Sequence, residues 1–418
     1  MVAVLATPDV AAAAAFHSSD RIGVALYATG TDALPGLGAH LANQVRKGLP
    51  APPSQAAWDF LSIALAAFAA DRFVLRSTSE NGWVRVISLE VAVGDPAPWK
   101  PQEARFAAAL RFLTGDIWHL KFSPGGDIAP NFQPKLTDRD TVCLFSGGLD
   151  SLLGALKLLE DGKRPLLISQ VSPKEGAPQR YLAQMIGLED YRFEGKVVEK
   201  WREPYEGSTR ARSIVFFAYG ALAASALKVG EVIVPENALI AINPPLTSRR
   251  LGSLSTRTTH PYFLTELETV LAGVGINMRL TNIFEGLSKG EMLAASKHPK
   301  KAMLASASYS CGKGKRKNGQ CGRCVPCLIR RASFHAAGVT DGTKPYFGEI
   351  ELSKEHDDVV AARLGVARKS QMAKAEFERW IASSGPLPND PERRESILRA
   401  VAQGIDEVGA FLAGVKWQ

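Results

Sequence analysis

Six consecutive residues, Ser146-Gly147-Gly148-Leu149-Asp150-Ser151, carry the strongest chemical signal in the chain. They follow a β-rich run, TVCLF, and precede a helical pattern, SLLGALKLL. Two glycines let a backbone turn tightly around an oxyanion, and the first amides of a following helix aim the positive end of its dipole at the same point. With the Ser151 hydroxyl added, the expected occupant is a phosphate. At the carboxyl end of a parallel strand, such a loop lies where open α/β sheets place their ligands. An ordinary strand-to-helix turn capped by Asp150 uses the same residue types, so the flanking strand and helix give the motif its specificity. No lysine closes the loop in a GxxxxGK[ST] pattern, which disfavours an NTPase that transfers a γ-phosphate.

Four of the five cysteines, Cys311, Cys321, Cys324 and Cys327, form a second constellation with C-x9-C-x2-C-x2-C spacing. Close CxxC pairs turn their thiolates toward one tetrahedral ion, and four thiolates leave no open position, so a closed structural zinc site is expected. An iron–sulfur cluster draws on similar spacing. Clustering of this kind is unlike a disulfide framework spread along a chain. Between the first two ligands, Lys313, Lys315, Arg316 and Lys317 read either as a solvated loop or as a basic arm over a polyphosphate or RNA. The helical pattern LIRRASFHAAG follows, with Arg330 or Arg331 expected to face the active site and His335 the surface. Cys143 sits inside TVCLF, where a thiol behaves as a small hydrophobe.

Three zones must position these residues. The chain has 418 residues, enough for two to four domains at about 100–200 residues each. With 46% hydrophobic and 22% charged residues it is neither disordered nor fibrous. Its net charge of +8 favours anionic partners such as nucleotides or RNA without requiring them. Residues 1–135 read as an α+β accessory domain, with an Ala-rich helix over 58–70 and a hairpin turning at Asn81-Gly82. A slip in alternation between Val86 and Leu89 suggests a bulge. Residues 136–345 alternate strand candidates (TVCLF, PLLISQV, KVVE, EVIVP, MRLTNIF) with helices near 150–160, 178–187, 210–229, 262–274 and 288–297. That alternation predicts a doubly wound parallel sheet, because parallel neighbours need helical crossovers. Residues 346–418 read as a helical extension: Asp390-Pro391 opens a helix whose stripe is Ile397, Val401, Ile405, Val408 and Leu412. The longest apolar stretch, Ser213–Leu227, is too short to cross a bilayer and reads as a buried helix. MVAVLATPDVAAAAAF lacks a basic leader and contains Asp9, so a cytoplasmic protein without membrane partners is expected.

The loop resembles the SGGxDS motif of PP-loop ATP pyrophosphatases, which adenylate an oxygen and release pyrophosphate. Loop and cysteines together resemble the 7-cyano-7-deazaguanine synthases (QueC type), whose closing motif is similar to Cys321-Gly322-x-Cys324-x-x-Cys327-x-x-Arg330. The resemblance spans about residues 141–341. It implies ATP, Mg²⁺ and Zn²⁺ as cofactors and a 7-deazaguanine acid as substrate. Carried over, Ser146, Gly147, Gly148, Leu149, Asp150 and Ser151 contact phosphates or their Mg²⁺. Gln170 meets the adenosine, and Arg212 of the TRARS run, with Arg210 beside it, joins the nucleotide site. Asp150, Ser151 and Lys289 of LSKGE are the catalytic candidates, and Glu236-Asn237 is a further correspondence. The stretch from Pro235 to Pro261 departs from the housekeeping enzymes, leaving His260-Pro261 without a following acid. It is similar to QueC-like proteins of bacterial anti-phage operons (QatC type). That likeness implies an acceptor that is ammonia or an amine on a partner protein. A PP-loop tRNA thiolase and a non-catalytic nucleotide-binding module are the competing readings.

Overall fold

The computed structural model describes residues 1–171, 176–195, 204–207, 209–246, 257–312, 319–344, 346–347, 350 and 357–415. Two five-stranded sheets, parallel at every pairing, organise them. The first contains β1 (Val2–Thr7), β2 (Arg21–Ala28), β3 (Gly36–Gly38), β4 (Val86–Ala92) and β5 (Ile117–Ser123) in the order β3-β2-β1-β4-β5. The second contains β6 (Thr141–Leu144), β7 (Pro165–Gln170), β8 (Asp190–Phe193), β9 (Glu231–Ile233) and β10 (Arg279–Thr281) in the order β10-β9-β6-β7-β8. Each sheet starts at its centre, grows to one side, then reverses. The reversal makes a crevice at the strand ends, in the second sheet between β6 and β9.

Helices α1 (Val10–Phe16), α3 (Gln55–Phe73) and α4 (Glu103–Thr114) accompany the first sheet, and α2 (Leu41–Gly48) lies against β8 of the second. The second carries α5 (Leu149–Glu160), α6 (Gly176–Met185), α7 (Arg212–Leu227), α8 (Ala238–Ile242), α9 (Pro261–Gly273), α10 (Lys289–Ala295), α11 (Lys301–Ala307) and α12 (Val325–Ala336). The chain ends in α13 (Asp357–Ser370), α14 (Lys374–Ala382) and α15 (Pro391–Ala413). Neighbouring strand residues point to opposite faces. Val142 and Leu144 of β6 therefore pack with α7, whereas Cys143 and Phe145 pack with Leu149, Leu152 and Leu156 of α5. Both faces are covered, which is why these strands read as unbroken apolar runs. Helices α3 and α7 are largely apolar and buried on almost every side, as interior helices are, and pack on each other between the two sheets. One core thus runs from β1 to β10.

The expected α+β character of the first zone is corrected to parallel α/β. Asn81-Gly82 makes no hairpin: the Asn81 Oδ1 accepts the amides of Trp83 (2.9 Å) and Val84 (2.8 Å), closing a local turn. What precedes that turn is a short 3-10 segment, Arg76–Thr78, and no strand. The following strand, β4, pairs in parallel with β1 and β5 in unbroken register, so the expected bulge is absent, with Ile87, Leu89 and Val91 facing the core. In the second sheet the third strand is DYRF, and KVVE lies outside the described residues. The first residues, read for a leader, form the central strand β1 and helix α1. No helix among the described residues is long and apolar enough to cross a membrane.

Candidate functional site

The glycine loop leaves β6 at the crevice between β6 and β9. Phe145 is tied back to β7, its amide donating to the Ile168 carbonyl (2.7 Å) and its own carbonyl accepting the Ser169 hydroxyl (2.7 Å). Gly147 then turns through φ +76°, a region open to glycine, and an added Cβ there would meet Gln179 Cγ at 2.8 Å. Gly148 is the N-cap of α5, and no side chain caps that helix. Asp150 is therefore not the cap of an ordinary turn. The Ser146 Oγ accepts the Gly148 amide (3.3 Å) and lies 3.2 Å from the Ser151 Oγ, so both hydroxyls collect at the helix start. Leu149 anchors the turn in the core.

Beneath the loop, Asp150 turns away from its own helix. Its Oδ2 pairs with the Lys289 Nζ at 3.1 Å and accepts from the Asn237 Nδ2 at 2.9 Å. Its Oδ1 is buried and has no hydrogen-bond partner. Burial opposes the Asp150 charge, but Lys289 and hydrogen bonds from Glu236 and Asn237 outweigh it and hold the carboxyl below its ordinary range. Glu236 moves the other way: burial first, then the Asp150 charge, raises its pKa well above normal. The same surroundings thus move the two carboxyls in opposite directions. Asn237 also caps α8, and the Asn282 side chain clasps the Glu236 backbone through both its amide (3.1 Å) and its carbonyl (2.8 Å). Lys289, only 4% exposed, opens α10 behind the capping box of Ser288 and Glu291.

The four cysteines converge as expected. Sγ atoms of Cys311 and Cys324 are 3.8 Å apart, those of Cys321 and Cys327 3.9 Å, and all four lie within 4.8 Å of one another. A tetrahedral ion with metal–sulfur bonds of about 2.3 Å requires sulfur–sulfur edges of about 3.8 Å, so the donor set fits a metal such as zinc. This knuckle touches the loop directly: two residues before Cys311, the Tyr309 amide donates to the Gly147 carbonyl at 2.9 Å. Arg330 does not face a ligand as expected. It is fully buried and donates to the Ser308 hydroxyl (2.7 Å), the Ala305 carbonyl (2.5 Å) and the Thr343 hydroxyl (2.9 Å), clamping the segment that reaches Gly147. Arg331 stacks over Tyr346 and Phe411, and Lys313, Lys315, Arg316 and Lys317 lie outside the described residues.

Among the remaining expected residues, Gln170 ends β7 beside the loop. Its carbonyl accepts the Gln179 side chain (3.5 Å), which also donates to the Ser146 carbonyl (3.2 Å). Arg212 begins α7, on the face of the sheet opposite α5. Arg210 belongs to the first sheet's surroundings: its guanidinium donates to the Thr114 carbonyl (2.8 Å) and lies over Trp83. His260 caps α9, its Nδ1 accepting the Tyr262 amide (3.2 Å), and burial holds its pKa down at about 3. Sequence reasoning missed Gln179, Tyr309 and Asn282, which lie in no recognisable motif. The chain matches no protein-family model and no curated protein.

Proposed function

We propose that the protein is a QueC-like, ATP-dependent enzyme that adenylates the carboxyl or amide oxygen of a 7-deazaguanine acid for attack by an amine. The observation that carries this reading is the uncapped helix start at Gly148, framed by the Ser146 and Ser151 hydroxyls at a sheet's switch point. Open amides, hydroxyls and a helix dipole suit a polyanionic leaving group such as pyrophosphate. In the reaction, an acceptor oxygen attacks the α-phosphorus of ATP, the α–β anhydride bond breaks, and pyrophosphate departs. The loop amides and Ser151 hold that pyrophosphate, and Lys289 offsets charge building on it. An amine nitrogen then attacks the acyl carbon, and AMP leaves carrying the acceptor's former oxygen. Asp150, whose Oδ1 is buried without an amide, hydroxyl or ammonium donor, would hold Mg²⁺, and that ion would neutralise the triphosphate. Zinc at the four thiolates would have a structural part, bracing the Tyr309 segment against the loop.

A sulfur-transferring reading lacks a nucleophile. Outside the cluster the only cysteine is Cys143, fully buried, with burial pushing its thiol up to about 12. The test is pyrophosphate release from ATP with and without 7-carboxy-7-deazaguanine and amine donors, ammonia and candidate partner proteins included. Acceptor-dependent release supports the enzyme. No release with any acceptor favours a nucleotide-binding module instead.

A further inference from the structure

The C-terminal helix α15 packs mainly on α8, α12 and α13, in a core separate from that of the second sheet. Its buried face is apolar apart from Glu407, which is 4% exposed. A buried carboxylate is costly unless its oxygens are satisfied. Glu407 is satisfied on both sides of Lys289: the Ser288 hydroxyl donates to its Oε1, and the Gly290 amide donates to its Oε2 at 3.0 Å. The approach is so close that a Cβ on Gly290 would lie 2.5 Å from the Glu407 Oε1. Three consecutive residues are thereby fixed: 288 and 290 by Glu407, and 289 by Asp150. Outside that clamp, Glu291 is occupied by Arg399 of the same helix α15 (2.5 Å).

We propose that Glu407 is a positioning residue for Lys289, so that the C-terminal helix forms part of the site that activates the nucleotide. The inference rests on the function proposed above. Glutamine at 407 keeps the shape but presents a donor toward one of two donors, so the 288–290 backbone loses one anchor. The ammonium then departs from its line to Asp150 and to the phosphates.

The test compares Glu407→Gln and Gly290→Ala with the unmodified protein by two readouts. The first is the rate at which an amine-acylating reagent labels Lys289, followed by peptide mass spectrometry at a temperature where all three are folded by circular dichroism. The second is kcat and KM for ATP in pyrophosphate release. Labelling of Lys289 several-fold faster in both variants is expected. A kcat about tenfold lower, with KM for ATP changed less than about twofold, is expected alongside it, the pattern of an interaction made in the transition state. Labelling at the unmodified rate, or a rise in KM with kcat intact, would overturn the proposal. If the unmodified protein releases no pyrophosphate, the functional reading fails, while the labelling comparison still decides whether Glu407 positions Lys289.

Discussion

Removing the Lys289 amine, as in Lys289→Met, should strand a charge in the protein interior. Asp150 and Lys289 side chains are 9% and 5% exposed and 3.1 Å apart, and Glu236 adds a second carboxyl beside them. Breaking a buried pair from one side costs about 3–5 kcal/mol, because the abandoned ion keeps its desolvation penalty. In the unmodified chain the folded-state pKa of Asp150 is depressed, so its contribution is present above the unfolded value and lost as pH falls through the folded one. Without Lys289 the largest influence left is burial, which raises that pKa against the smaller, opposing hydrogen bonds of Glu236 and Asn237. The sign then reverses: the variant gains stability as pH falls from 7.5 toward 5, because protonation removes the stranded charge. Asp150→Asn in the Lys289→Met background should recover most of the loss at neutral pH. Equilibrium urea unfolding at both pH values measures all three proteins. A Lys289→Met protein within about 0.5 kcal/mol of the parent, or a double variant no more stable than the single one, would refute the buried-pair argument.

Purified protein should contain about one zinc ion per chain by elemental analysis, and Cys324→Ser should lower both metal content and melting temperature. Because Tyr309 joins the cysteine knuckle to Gly147, chelation should also weaken pyrophosphate binding, read by calorimetry. Gly147→Ala forces a side chain into positive φ and against Gln179, and should cost about 1 kcal/mol or more of stability together with pyrophosphate affinity. Arg85→Ala leaves Asp71 and Asp116, now paired with Arg85 at 2.5 and 2.6 Å, without that partner; because Arg76 still holds Asp116 at 2.8 Å, a loss at the lower end of about 3–5 kcal/mol in unfolding free energy is expected. Cys143 should resist thiol reagents in the folded protein at pH 8 and react on unfolding, as followed by mass spectrometry.

What the sequence displayed was local. The glycine loop and the cysteine cluster are short runs whose chemistry is visible in order; the first falls between a strand and a helix and the second brings its four sulfurs together, as expected. The second sheet was legible because strands buried on two faces, such as TVCL and PLLISQ, stay apolar throughout. The first sheet was not. Its strands β1 and β2 lie in alanine-rich text where helix and strand periods blur, and Asn81-Gly82 carries a hairpin signal that the 3-10 exit from α3 overrides. The site's deeper members were reached only through family resemblance, since Asn237 stands 87 residues from the Asp150 it contacts. Glu407 had a faint signal of its own, an acid next to Val408 in an otherwise apolar stripe, but its partner at Ser288 is 119 residues away.

Oxygen-18 transfer tests the adenylation claim most directly. The protein is incubated with ATP, an amine and 7-carboxy-7-deazaguanine labelled in both carboxyl oxygens, and the AMP is analysed by mass spectrometry. One labelled oxygen in each AMP released is the expected result, because the activated acyl oxygen departs on phosphorus. AMP without label, or product retaining both labelled oxygens, would contradict it.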